Sequence, residues 1–391
     1  MDGDVLVKST QAFFAGFVVT GVNSSANATI QISGVVTGFT GLTIGTVYYA
    51  SSTAGAITAT KPWHPVPLGI AISATELLIN TNIKPETEQT ENVGAIYGYA
   101  MGGYTGAAVA TTDRITFSTS VTAASTVSNL SPAKYLSAGV SDTTVYGYAM
   151  GGNSGASVAT TDRITFSTSV TAASTVSNVS QVRYSLSGIS DGAVYGYAMG
   201  GNSGAVVTTT DRITFSTSAT AASTVSNLSQ ARQLDGSTVS DGSIYGYAMG
   251  GWTAAAVATT DRITFSTSAT AASTVSNLSV ARYAAAGVSD GSVYGYAMGG
   301  HSGAVVATTD RITFSTSVTA ASTVSNLSGV RHYAFGISDG AVYGYAMGGS
   351  TGAGVATTDR ITFSTSVTAA STVSNLSTSR GYGANLSDGA V

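Results

Sequence analysis

Residues 97–103 read Tyr97-Gly98-Tyr99-Ala100-Met101-Gly102-Gly103, and the same seven letters return at Tyr146, Tyr195, Tyr245, Tyr294 and Tyr343. The step is 49 residues everywhere except from Tyr195 to Tyr245, where it is 50. A fixed period of this size with no helical pattern inside it predicts stacked or radially arranged β units, because one such unit cannot bury its own apolar face.

Each repeat divides into four strand-sized pieces. In the copy at residues 279–327, strand a is expected at Tyr283 to Ser289, followed by an Asp290-Gly291 turn and strand b at Ser292 to Gly299. Strand c is expected at Thr308 to Ser315 and strand d at Ala320 to Ser325. Four antiparallel strands in a unit of this length describe a propeller blade. The small residues of strand a suit inner strands that crowd round an axis. The repeats enter at Gly94-Ala95-Ile96, which leads into strand b, and finish with residues 380–391, which supply a strand a. The expectation is therefore an all-β fold, a six-bladed propeller closed by a C-terminal strand, since closure removes exposed sheet edges.

Residues 1–83 show no trace of the repeat and read as a small N-terminal β domain, expected to serve attachment or oligomerisation. Strand-like runs are expected at Phe13 to Thr20, Ala28 to Ser33, Thr46 to Ser51 and Leu68 to Asn80. Residues 84–93 begin Lys84-Pro85-Glu86-Thr87-Glu88-Gln89-Thr90-Glu91 and read as an acidic linker. The propeller takes residues 94–391. Among 391 residues, 43% are hydrophobic and only 9% charged, against roughly a quarter charged in an average soluble protein. The net charge of −4 comes with no basic stripe, so no nucleic acid is expected as a partner. Cysteine is absent, which removes disulfides, thiolate nucleophiles and Cys-ligated zinc. No run approaches the roughly 18 apolar residues of a membrane span, and no export signal is read at the N-terminus, so no membrane insertion is expected.

A strand ending in Gly-Gly, an aromatic in strand c, a basic residue opening strand a and an Asp-Gly turn together resemble the kelch repeat, which forms β-propellers. The tryptophan usual after strand c in kelch repeats is replaced by small residues such as Ala123-Ala124, so the resemblance is to a reduced, Ser/Thr/Ala-rich type similar to repeats of bacteriophage tail and virion proteins. Residues 41–79 are similar to a small β module of phage tail-fibre and other virion proteins. The resemblance implies a virion protein of the tail or capsid surface, and other virion proteins as partners of the N-terminal domain.

Six Asp-Arg dipeptides, at Asp113-Arg114, Asp162-Arg163, Asp211-Arg212, Asp261-Arg262, Asp310-Arg311 and Asp359-Arg360, recur in strand c. Neighbours on a strand point to opposite faces, so each Asp is expected to pair with an Arg of the adjoining blade. Lys134, Arg183, Arg232, Arg282, Arg331 and Arg380 open strand a and are expected to anchor the blade. Tyr97, Tyr99 and Met101 share a face and are expected to fill the space between blades. The Ser-Asp-Gly turns need no role beyond a tight hairpin. His64, His301 and His332 are the three histidines. The last two fall on loops that permit a metal or general-base role, yet no carboxylate cluster accompanies them. The chain is expected to be no enzyme, with no catalytic residue, no metal and no cofactor.

The copies differ in two places: at the residue after each Gly-Gly, and around the start of strand a. In an up-and-down blade the b to c and d to a loops emerge on one face. Drift of exposed loops produces the same one-sided variation. The changes nonetheless include aromatic and hydrogen-bonding residues suited to sugar rings or protein pockets. Tyr104, Tyr135, Asn153, Tyr184, Asn202, Trp252, His301, His332 and Tyr333 are accordingly the candidate ligand-binding residues. The expected function is recognition of a host-surface receptor, with a glycan as the candidate class, by a tail-fibre component that forms a homo-oligomer, a trimer among the options. The alternatives are a capsid decoration or purely structural virion protein, and a carbohydrate-active propeller enzyme.

Overall fold

The computed structural model describes residues 17–18, 30–31, 34–50, 57–59, 67–79 and 96–389. His64 and the linker expected at 84–93 lie outside the described residues. The chain separates into two compact units, Met1–Glu91 and Asn92–Val391.

In the first unit, Gly34–Thr37, Glu76–Ile79, Pro67–Ala71, Val47–Ala50 and Ile57–Thr58 lie in that order in a five-stranded antiparallel sheet, and Phe17–Val18 pairs with Ile30–Gln31. Leu42, Tyr48, Leu68, Ala71, Leu77 and Ile79 form its core. The single run expected at Leu68 to Asn80 is in fact two strands folded against each other. The Ser73 hydroxyl takes the Thr75 N–H (3.2 Å), and the Ile72 N–H bonds the Glu76 carbonyl (3.0 Å). Ser and Thr offer the backbone this local alternative to a ladder, which an apolar run conceals.

The second unit is all-β and propeller-like, with six four-stranded antiparallel sheets. In the fifth, strand a is Ala286–Ser289, b is Tyr294–Met298, c is Thr309–Thr313 and d is Val318–Ala321. Strand d is shorter than expected at its far end, because Thr323–Ser325 is a 3-10 turn whose Ser325 hydroxyl bonds the Ser366 carbonyl of the next sheet at 2.7 Å. Strand a starts later than expected. Ala284 takes a positive φ of 57°, which ends any extended run there. The Asp290 carboxylate accepts the N–H groups of Ser292, Val293 and Tyr294 at 3.0, 2.7 and 2.9 Å, so the Asp-Gly turn is structural, as expected.

The first sheet holds Tyr97–Met101, Thr112–Thr116 and Val121–Ser125, and its fourth strand is Ala384–Ser387, paired with Tyr97–Met101 in the register Asn385 to Ala100. Asp388 then accepts the Tyr97 N–H at 2.8 Å. The a strands touch in succession. A Cβ at Gly139, Gly188, Gly287 or Gly336 would stand 1.9–2.0 Å from a carbonyl oxygen of the neighbouring a strand. Thr238 and Asn385, which have side chains there, donate to the Gly188 and Gly336 carbonyls at 2.7 and 2.6 Å. The a strands line a cavity of about 60 Å³, room for a few waters at about 10–15 Å³ each.

Apolar cores lie between successive sheets. Tyr99 and Met101 of the first sheet pack with Ala149, Ile164 and Phe166 of the second, all buried, as expected for Tyr99 and Met101. The Tyr99 hydroxyl bonds the Ser169 hydroxyl at 2.9 Å. The contact recurs down the unit, and the Tyr345–Ser120 bond (2.8 Å) joins the sixth sheet to the first. Tyr97 is instead half-buried beneath the Arg114 guanidinium, 4.2 Å from the ring centre.

The expected Asp-Arg pairing between neighbouring strands c is corrected. Asp162, Asp211, Asp261 and Asp310 meet Lys134, Arg183, Arg232 and Arg282 at 3.1, 2.7, 2.7 and 2.8 Å, Asp359 meets Arg331, and Asp113 meets Arg380 at 2.5 Å. The partner is the basic residue that opens strand a of the same sheet. That residue lies at the end of the crossover from the preceding sheet, and it also donates to a strand b carbonyl of its own sheet, Lys134 to Ala149 and Arg183 to Ala198, both at 2.8 Å. Arg114, Arg163 and their equivalents point the other way, over tyrosines.

Candidate functional site

The loops that differ between repeats meet at one mouth of the second unit. Tyr135 bridges to Asn153, Tyr184 to Asn202, Gln233 to Trp252, Tyr283 to His301, His332 to Ser350 and Gly381 to Tyr104. The two varied positions of each repeat are thus neighbours in one sheet, extending the pairing of strands a and b. The expected shared face for the d to a and b to c loops is what the bridges show.

The side chains there are unevenly distributed. From Trp252 a run of ring contacts passes through Tyr283 (5.2 Å), His301 (5.2 Å) and His332 (5.8 Å). It continues from His332 to Tyr382 (6.2 Å), Tyr104 (6.2 Å) and Tyr135 (5.1 Å). Tyr333 stacks on Tyr382 with 3.9 Å between centroids. Most of these rings are half-buried, and only Tyr104, at 39%, counts as exposed. They are packed against one another as much as offered to a ligand. Tyr333 is the extreme case: burial first, then the charge of Asp235, pushes its hydroxyl far above the ordinary tyrosine range, and its backbone has a φ of 56°. It belongs to the architecture of the mouth.

The remaining candidates do different work. Asn153 and Asn202 accept the Gly155 and Gly204 N–H groups at 2.9 and 2.8 Å, closing their own loops. His301 does the same through Nδ1 for Gly303 at 3.3 Å, which leaves its proton on Nε2. His332 Nδ1 lies 2.9 Å from the Ser350 carbonyl, and burial pulls its pKa down, towards the neutral ring. The two histidine rings are therefore neighbours, with no group of three His, Cys, Asp or Glu fit to hold a metal among the described residues. Tyr184 is half-buried and pairs through its backbone with Asn202.

Three residues of the mouth escaped the sequence reading. Tyr283 and Tyr382 stand in loops whose other members were singled out. Asp235 is the third, and its signal is the one 50-residue step. Five residues lie between Arg232 and Thr238 where four lie between Arg183 and Gly188. The loops otherwise bond to each other in turn: Ser185 N–H to the Leu136 carbonyl (2.9 Å), Leu234 to Ser185 (3.1 Å), Tyr333 to Ala284 (2.8 Å), Tyr382 to Tyr333 (3.0 Å), and Leu136 to Tyr382. Beside the longer loop, the Ser237 hydroxyl takes the Ala285 N–H at 3.1 Å.

Compared with family models and with curated proteins, the chain finds no match in either.

Proposed function

We propose that this chain is a bacteriophage virion protein whose second unit is a closed six-bladed, kelch-like propeller that recognises a host-surface ligand through its varied mouth. The observation that carries the reading is the arc of ring contacts from Trp252 to Tyr135, set where the repeats depart from one another. Drift alone varies a face without selecting residue type, whereas the unlike positions here carry rings in mutual contact. Ring closure is supported by the pairing of Ala384–Ser387 with Tyr97–Met101 and by the Tyr345–Ser120 bond. The virion setting is supported by the resemblance of residues 41–79 and of the repeats. Aromatic faces with adjacent amide and hydroxyl groups suit a glycan, whose rings stack and whose hydroxyls bond.

The test is binding of labelled protein to a glycan array and to a panel of bacterial strains. Trp252→Ala and Tyr104→Ala together are expected to weaken the strongest signal at least roughly fivefold, about 1 kcal/mol, with the fold intact by circular dichroism. Substitutions in the 118–120 turn, at the opposite end of the sheets, are expected to leave binding unchanged. No binding to any surface, or equal loss from the opposite turn, would overturn the reading.

A structural role in the particle has its own support. The outermost strands expose Val121, Val170, Val318 and Val367 at 47–48%, an apolar rim that fits contact with other virion subunits.

A further inference from the structure

We propose that the Asp235 carboxylate is the base of a subsite, at the centre of the varied mouth, for a primary ammonium group on the ligand. This rests on the recognition reading and names the chemistry that one part of the face would take.

Asp235 is 8% exposed, and neither of its carboxylate oxygens receives a hydrogen bond from the protein. Ser185 lies near enough to favour the charged form, without a bond of good geometry. A buried carboxylate left this way is costly, and no other repeat has one. It stands in the only loop with an extra residue, so the sequence departs from its own period to put it there. The carboxylate lines a cavity of about 20 Å³, together with Ser187, Thr238, Tyr333, Tyr382 and Asn385.

Size and charge choose the ligand. A group of one water's volume fits this space, whereas a whole sugar ring does not. An –NH3+ head brings three donors and a positive charge to an acceptor-only anion, and the tyrosine rings beside it favour a cation. The titratable groups facing Asp235 are the hydroxyls of Tyr283, Tyr333 and Tyr382, all of which feel its charge and all of which are neutral. The cation nearest in the chain, Arg232, is already bound to Asp261 at 2.7 Å and to the Ala248 carbonyl at 3.1 Å. Burial pushes the Asp235 carboxyl up to about 7. Cation affinity therefore rises as pH rises through that value and the carboxylate forms.

Methylammonium is the probe, titrated into the full chain while the Asp235 carboxyl carbon is followed by NMR. Saturable binding in the millimolar range is expected, the ceiling for so few atoms being about −1.5 kcal/mol each. It should weaken at least tenfold in Asp235→Asn, and at least tenfold in the unaltered chain between pH 8 and pH 5.5. The pH comparison needs no variant and stands even if Asp235→Asn misfolds. Equal binding of methanol, or equal binding of potassium, overturns the ammonium assignment, as does no saturation at pH 8. Methyl glucosaminide and Nα-acetyl-lysine amide then separate a glycan source from a polypeptide one, and tighter binding of either over methylammonium supports the subsite. Loss of methylammonium binding with glycan binding intact would sink the subsite alone, and the reverse would sink the recognition reading alone.

Discussion

Asp211 and Arg183 are both buried and 2.7 Å apart, and the guanidinium also bonds the carbonyls of Ala198 (2.8 Å) and Thr209 (2.5 Å). The Arg is thus held by two strands while standing in a loop. Burial pulls its pKa down, and only the Asp211 charge opposes that shift. Asp211→Ala leaves the cation buried without its counter-charge and should cost about 3–5 kcal/mol, read as a lower midpoint in urea. Replacing both residues by apolar ones of similar volume should recover most of the loss, which separates desolvation from packing. The members of this pair were legible in the sequence: an ion-paired Asp in strand c and an anchoring base before strand a were both expected. Their pairing was not, because neighbouring strands suggested each other while the true partner arrives through a crossover whose path no periodicity encodes. Asp235 was less legible still, its only trace being a single extra residue.

The innermost strands show how closely an element fits its neighbours. At Gly188 a Cβ would sit 1.9 Å from the Gly139 carbonyl oxygen, a clash with backbone and not with a side chain that turns aside. Gly188→Ala should therefore shift strand a outward and cost at least about 1–3 kcal/mol. Gly329→Ala, where nothing lies within 4 Å, should leave the melting temperature nearly unchanged. Equal behaviour of the two in a thermal melt would show that the axis is looser than the contacts require. Strand number and order were legible because alternation and Asp-Gly turns mark them. The ends of strands a and d were not: the positive φ at Ala284 and the turn at Thr323–Ser325 arise from small, polar residues that suit either state.

At the scale of the whole second unit, residues 380–389 hold together parts of the chain far apart in sequence. Arg380 meets Asp113, Asn385 pairs with Ala100, and Tyr382 stacks on Tyr333. Removal of residues 380–391 should strip strand Tyr97–Met101 of its partner, expose a sheet edge and expel a buried ion pair. The truncated chain should melt several degrees lower, each kcal/mol being worth roughly 1–2 °C in a unit of this size, and should self-associate in sedimentation. A monomer with an unchanged melt would mean that the pairing adds little. The varied mouth was legible as a face, from where the copies differ. Its division into packed aromatics, loop-closing asparagines and one unpaired acid was not, since those roles depend on which ring reaches which neighbour.

The pairing of Asn385 with Ala100 also sets a clock. Strands Tyr97–Met101, Thr112–Thr116 and Val121–Ser125 leave the ribosome early, but their fourth strand follows more than 250 residues later. At about 5–20 residues per second, the wait is roughly 15–60 s. Throughout it, the first sheet presents an open edge to a solution of nascent chains, each carrying five near copies of the missing strand. Synthesis in crowded conditions is therefore the moment at which this protein is most exposed to exchanging strands with its own siblings.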